Sequence, residues 1–421
     1  VTSGACASAT GTAVTVTVSP VSVGGSVGGG ATVCATSNST LLTLTGQTGT
    51  VVKWQISASS NFSTVRDTAV TATQLTAVNL TSTTYFRAVV KSGPCSEAYS
   101  SSAVVNVDQA SVGGTVGGTS PICTGSNTTL TLTGNTGTVT KWQSATNTGF
   151  TQNLTDIVNA STTLNLSNIT TSGTQYRAVV VNGVCASANS GSFTINVSSA
   201  AVGGTLSGNK TVCAGTNSAA MSLSGYTGSI SKWQSSTTSD FSASVSDILI
   251  TTASYTASNL NTTTYYRAVI TNGACTAYSS TVTVTVNPTS VAGSISGATT
   301  VCTGTNTTTL TLSGNTGTIQ WQSSTDNSTF TNLTGETGSS YTATNLSATR
   351  YYRAVVTSGV CPAANSSSAT IAVSALANGG TVSAATTTTV CTGSNSTALS
   401  VSGYTGTLQS VSYTHLRAHE T

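Results

Sequence analysis

The chain has 421 residues, of which 5% are charged, and 12 Lys and Arg stand against 9 Asp and Glu for a formal charge of +3. So thin a positive charge excludes a run of phosphate contacts, and nucleic acid is not an expected partner. Hydrophobic residues make up 37%, yet no apolar run approaches the roughly 20 residues that a spanning helix needs, so no membrane span is expected.

Residues 1–20 read as the C-terminal remnant of a repeat, and the first residue is Val1. A secretion signal is therefore expected to lie outside this sequence. One cassette then recurs, Cys, Trp, a Tyr-Arg or Phe-Arg pair and Cys, with its tryptophans at Trp54, Trp142, Trp233 and Trp321. That period is too long for a solenoid turn and suits one small β-domain, which gives repeats over 21–108, 109–198, 199–287 and 288–374. Residues 375–409 match the first part of a fifth repeat. The template breaks after Gln409, and 410–421 read as a non-native tail. Its string VSYTHLRAHET carries both histidines, His415 and His419, and resembles a translated sequencing adapter. Lacking the Trp strand, the Tyr strand and the second Cys, residues 375–421 are not expected to close a sandwich, and Cys391 is expected to be unpaired.

The fourth repeat shows the elements most clearly. SVAGSISG reads as an edge strand after a short linker. TTTLTLSG places Leu310 and Leu312 on one face and Thr309, Thr311 and Ser313 on the other, the period of a half-buried strand. The turn at 315–317 leads into TIQWQSS, where Ile319 and Trp321 share a face and the indole is the natural core plug. SYTATNL alternates again. RYYRAVV puts Tyr352, Ala354 and Val356 inward, and SATIAVS closes the repeat. Seven short strands with turn signals and no helical period give an all-β fold, a tandem array of antiparallel β-sandwiches with Greek-key order as the default. Trp54, Trp142, Trp233, Trp321, Phe86, Tyr176, Tyr266 and Tyr352 are the expected core rings.

Ten cysteines at regular spacing indicate an oxidising compartment. Within repeats the paired positions lie about 60 residues apart, and between repeats just under or at 30, so spacing alone leaves both groupings open. If Trp and Tyr belong to one sandwich, the enclosing pair is the one within the repeat: Cys34 with Cys95, Cys123 with Cys185, Cys213 with Cys275 and Cys302 with Cys361. A loop of about 60 residues is worth roughly 4 kcal/mol in the chain-entropy model. Metal ligation is not expected, because no Cys-x-x-Cys occurs and no complete repeat contains His.

Taken together, C-x-G-[ST]-N, TLTLSG-x-TG, WQSS, TNL and YYRAVV-x-SG-x-C resemble the immunoglobulin-like repeats of large Bacteroidota-type secreted surface proteins, from residue 1 to about 409. The resemblance implies spacer or adhesive modules. Against an antibody domain, the first Cys precedes the Leu strand and the second follows the Tyr strand, so the bridge is expected to staple loops at one end of the sandwich. The six-residue step from Leu260 to Tyr266 and from Leu346 to Tyr352 matches a tyrosine corner; Phe86 has no hydroxyl for it.

Arg87, Arg177, Arg267 and Arg353 should point outward beside Lys53, Lys141 and Lys232. That is either a basic stripe for an acidic polymer or, preferably, a solubilising face paired with Asp67, Asp156, Asp247 or Glu336. The alternation of each Trp with Val52 or Ile319 places the indoles in the core rather than on a sugar platform. Tyr226 and Tyr404 are better candidates for exposed aromatics. The sequons at Asn38 and Asn127 follow from composition. No catalytic or cofactor-binding residues are found, since no complete repeat offers paired titratable groups with a His. The expected function is a non-enzymatic extracellular stalk or adhesive region of a bacterial cell-surface protein, facing a glycan or protein ligand. The alternative is an accessory carbohydrate-binding array of a secreted polysaccharide-degrading enzyme. Short linkers such as Asn287-Pro288-Thr289 favour an extended rod.

Overall fold

The computed structural model describes residue 1 and residues 3–385, 389 and 392–411. Cys391 and the tail from 412, with His415 and His419, lie outside the described residues. The described chain is all β, without a helix. It divides into two compact units, one of residues 1–201 with 272–276, the other of 202–271 with 277–421.

In the first unit the first repeat has nine strands: β1 (Ser26–Gly28), β2 (Thr32–Cys34), β3 (Ser39–Thr45), β4 (Thr50–Ser57), β5 (Arg66–Thr68), β6 (Gln74–Val78), β7 (Thr84–Lys91), β8 (Ala98–Tyr99) and β9 (Ala103–Asp108). They form two sheets, β1-β3-β6 and β2-β9-β7-β4-β5, with β8 also pairing β7. Every pair is antiparallel except β2 with β9, which is parallel and sets Cys34 opposite Asp108. The second repeat keeps the same plan, with Cys123 opposite Ser198. In the second unit the third and fourth repeats follow it too, with Cys213 opposite Asn287 and Cys302 opposite Ser374.

Thr, Val and Ser in strict alternation favour a pleated surface with one dry face. In β3, Leu42 and Leu44 point in, at 0% and 3% exposure. Leu310 and Leu312 do the same in the fourth repeat. All four indoles are fully buried. Each still donates its ring N–H to a backbone carbonyl: Trp54 to Ala72, Trp142 to Ser161, Trp233 to Thr252 and Trp321 to Gly338, at 2.9–3.0 Å. Phe86, Tyr176, Tyr266 and Tyr352 are buried beside them. Burial, reinforced by the neighbouring Tyr255 and Tyr341, pushes the Tyr266 and Tyr352 hydroxyls up to about 12.

Two details differ from the sequence expectation. Val52 is exposed, because a bulge between Val51 and Lys53 shifts the β4–β7 register. The extra residue lets Val51 and Trp54, three apart, both face inward. The same shift recurs at Val139/Lys141 and Ile230/Lys232, while the fourth repeat, one residue shorter here, pairs without it. The tyrosine corner is also replaced. The backbone of Leu260 and Leu346 is held by the side chains of Asn217 and Asn306 rather than by a phenol.

After the fourth repeat, Thr381–Ala384 and Leu399–Ser402 pair as a two-stranded sheet. Val382 and Leu399 are exposed by 61% and 70%, so the described part of the fifth repeat has no dry face of its own.

Candidate functional site at the repeat junctions

The disulfides correct the sequence expectation. Cys34 is bonded to Cys185, Cys123 to Cys275 and Cys213 to Cys361, while Cys6, Cys95 and Cys302 are free among the described residues. None of the four pairs expected within a repeat forms. The first cysteine of one repeat joins the second cysteine of the next.

The reason lies in where the strands end. β2 runs parallel to β9 and places Cys34 beside Asp108, the last residue of the repeat. The second cysteine sits in a turn that reaches back past the start of its own repeat: the Cys95 thiol lies 3.5 Å from the Pro20 carbonyl. The two cysteines of one repeat are therefore at opposite ends of the sandwich, and neither can cross it. Stapling both at one end was the wrong geometry.

The junction is built from backbone and short polar side chains. The turn Asn182-Gly183-Val184-Cys185 closes with the Cys185 N–H on the Asn182 carbonyl, 3.0 Å. Asp108 accepts the Val184 N–H at 3.0 Å, and Asn182 donates to the Gln109 carbonyl at 2.7 Å. The Ser111 hydroxyl accepts the Asn182 N–H at 2.9 Å. At the next junction Ser198 takes the place of Asp108 and accepts the Ala274 N–H at 3.0 Å. In the second unit Asn287 accepts the Val360 N–H, and Ser290 that of Ser358. Gly93, Gly183, Gly273 and Gly359 all have φ between 52° and 57°. A Cβ at Gly183 would strike the Asp108 carboxylate and one at Gly359 the Asn287 amide, so the glycine serves both the turn and the close approach.

The asparagine four residues after the first cysteine anchors the other side of the clamp. Asn38 donates to the carbonyls of Cys34 and Leu80, both at 2.7 Å, and accepts the Leu80 N–H at 2.9 Å. Asn217 and Asn306 repeat all three bonds. In the second repeat Asn127 keeps one, accepting from the Asn168 N–H. Sequence reading took Asn38 and Asn127 only as sequons; the fixed C-x-x-x-N spacing was the missed signal. Asn217→Ala is expected to destabilise the third repeat by about 1–3 kcal/mol, since it strands three backbone groups. Denaturant unfolding measures this, and a change within about 0.5 kcal/mol would show the bonds to be dispensable.

The outward face of β4 and β7 carries a second recurring set. Lys53 donates to Asp67 at 2.6 Å, Gln55 donates to the other Asp67 oxygen at 3.0 Å, and Arg87 donates to Gln55 at 2.8 Å. Lys141, Asp156, Gln143 and Arg177 repeat this, as do Lys232, Asp247, Gln234 and Arg267. In the fourth repeat Asn332 replaces the aspartate and Gln320 the lysine, so the ion pair is replaced by neutral amides while Arg353 still donates to Gln322. Glu336, the acid expected to fill that place, instead uses its backbone against Trp321 and Leu333. The Lys and Arg groups are thus engaged within each sheet rather than aligned as a free basic stripe. Each arginine also lies over an aromatic ring at 4.0–4.2 Å: Arg87 over Phe62 and Tyr99, Arg177 over Phe150, Arg267 over Phe241 and Tyr278, Arg353 over Phe330. Phe62, Phe150 and Phe241 hold φ of 53–56°, an uncommon conformation for a bulky residue that aims the ring at the guanidinium. These phenylalanines, eight residues past each Trp, also escaped sequence reading.

The bonds from Lys53 and then Gln55 hold the Asp67 carboxyl below its ordinary 3.8, and Asp156 and Asp247 are lowered by the same contacts. A lowered carboxyl contributes its stabilisation above 3.8 and loses it as pH falls through the folded value. Carboxyl chemical-shift titration should therefore place the midpoints of Asp67, Asp156 and Asp247 below 3.8. Midpoints at or above that value would mean that the ion pairs do not form in solution.

Tyr404 is 45% exposed, whereas Tyr226 is half-buried. A trough of about 640 Å³ in the second repeat is lined by groups such as Asn127, Thr129, Asn165 and Ser167, without an aromatic platform. Among the described residues no group of three His, Cys, Asp or Glu is placed to hold a metal ion, and no helix is long and apolar enough to cross a membrane.

A family model described as a domain of unknown function, DUF8696, matches residues 23–109, 112–199, 202–288 and 291–375. The chain belongs to this family. No curated protein matches it. Among solved structures, the four N-terminal Ig domains of Dscam1 isoform 6.9 are 10% identical, covering 85% of this chain and 99% of that one, with a TM-score of 0.25. Extracellular domains 3–5 of Drosophila OTK are 14% identical over 64% and 96%, with a TM-score of 0.26. Murine CEACAM1b is 14% identical over 40% and 99%, with a TM-score of 0.27. At such values the fold of the DUF8696 repeat rests on its own sheet order, two sheets packed around a buried Trp.

Proposed function

We propose that this tandem array of DUF8696 repeats is a non-enzymatic extracellular stalk and adhesive region of a large bacterial cell-surface protein, carrying or spacing contacts to a surface glycan or protein. The observation that carries this reading is the junction clamp, which spends both cysteines of each interior repeat on its neighbours. Such bridges persist in an oxidising compartment and serve continuity along the chain rather than a local site. The Lys–Asp pairs of the first three repeats support the same reading, because each is engaged within its own sheet.

Antibody raised against the purified chain should label intact cells of the source organism as strongly as permeabilised ones. Labelling that appears only after permeabilisation would overturn the proposal.

A further inference from the structure

The three bridges overlap. Cys123 lies inside the ring closed by Cys34 and Cys185, and Cys213 lies inside the ring closed by Cys123 and Cys275. Every peptide bond between Cys34 and Cys361 is therefore spanned by at least one disulfide, and those in 123–185 and 213–275 by two.

We propose that this overlap makes the array a tether whose length under load is capped covalently and which survives a single backbone cut anywhere between Cys34 and Cys361. The shortest covalent route between those residues crosses the Cys34–Cys185 bridge, follows the chain to Cys213 and crosses to Cys361. Only about 28 residues of backbone lie on it, at most ~100 Å when fully extended. The strands of 35–184 and 214–360 are off this route. A pull on the ends passes around them and loads only the strands within 185–213, the last of the second repeat and the first of the third. Without the bridges the same stretch would pay out to roughly 1,100 Å. The biological use of the cap rests on the stalk reading; the cap itself follows from the pairing.

Force spectroscopy on the full chain, held by peptide tags at its two ends rather than through thiols, tests this. Under non-reducing conditions the stretch from Cys34 to Cys361 should extend no further than ~100 Å, without repeat-sized steps. A phosphine reductant should restore steps of roughly 300 Å for each repeat. Cys185→Ser opens the longer route through Cys123 and Cys275, and should raise the limit about fivefold. Cys275→Ser leaves the short route intact and should not raise it. Repeat-sized steps in the oxidised chain, or equal release by the two variants, would overturn the proposal.

Should Cys185→Ser not fold, limited proteolysis of the unaltered chain decides. A chain cut once between Cys34 and Cys361 should keep its full mass on a non-reducing gel and separate into two pieces only after reduction; separation without reductant refutes the cap. Neither readout involves location or ligand. Failure of surface labelling would sink the stalk reading and leave the cap standing, and the reverse holds equally.

Discussion

Trp142→Ala should unfold the second repeat selectively, at a cost of about 3–5 kcal/mol. The indole is fully buried, packs among Leu130, Leu132, Val139 and Ile195, and spends its only donor on the Ser161 carbonyl. Alanine leaves a cavity that two hydrogen-bonded sheets cannot collapse to fill, and it strands that carbonyl. A loss of this size approaches the whole stability expected of a domain of this length. Hydrogen exchange read peptide by peptide should show the second repeat losing its protection while the other three keep theirs. A cost below about 1 kcal/mol would mean that the ring is not the centre of its repeat.

Reduction should have the other large effect. The bridges close rings of 151, 152 and 148 residues, each worth about 5 kcal/mol in the chain-entropy model, whose mechanism is disputed. Because the rings overlap, the total is less than three times one ring. Each bridge also ties two repeats, so the gain is shared. A fall in the thermal midpoint on the order of 10 °C on adding reductant is expected. The pairing itself is checked by peptide mapping of the unreduced protein. Peptides containing Cys34 should be linked to those containing Cys185, and native alkylation should modify Cys6, Cys95 and Cys302 among the described cysteines. A Cys34 peptide linked to Cys95 would restore the arrangement within one repeat and remove the basis for a covalent cap.

The period of Trp and Cys made the repeating sandwich legible, because a strand alternates with period two and a buried ring demands apolar neighbours on its own face. Leu310, Leu312, Trp321 and Tyr352 could be placed from that pattern alone. Connectivity was not legible. Two cysteines 61 residues apart in one repeat look like partners, and only the parallel pairing of β2 with β9 shows that one sits at the far end of its sandwich. Val52 misled for a related reason: a bulge adds a residue without changing composition, and every side chain before it changes face. Asn38 was visible only as a sequon, because the carbonyls it holds, at Cys34 and Leu80, come from segments far apart in sequence.

The opposite placement of the two cysteines gives the array a direction. One end of each sandwich offers a strand-borne sulfur and the other a turn-borne sulfur, and each bond joins one of either kind. Duplicating or deleting one whole cassette brings or removes one sulfur of each kind, and every interior position finds its mate as before. Reach can therefore change from one generation of the gene to another without any rewiring of the crosslinks.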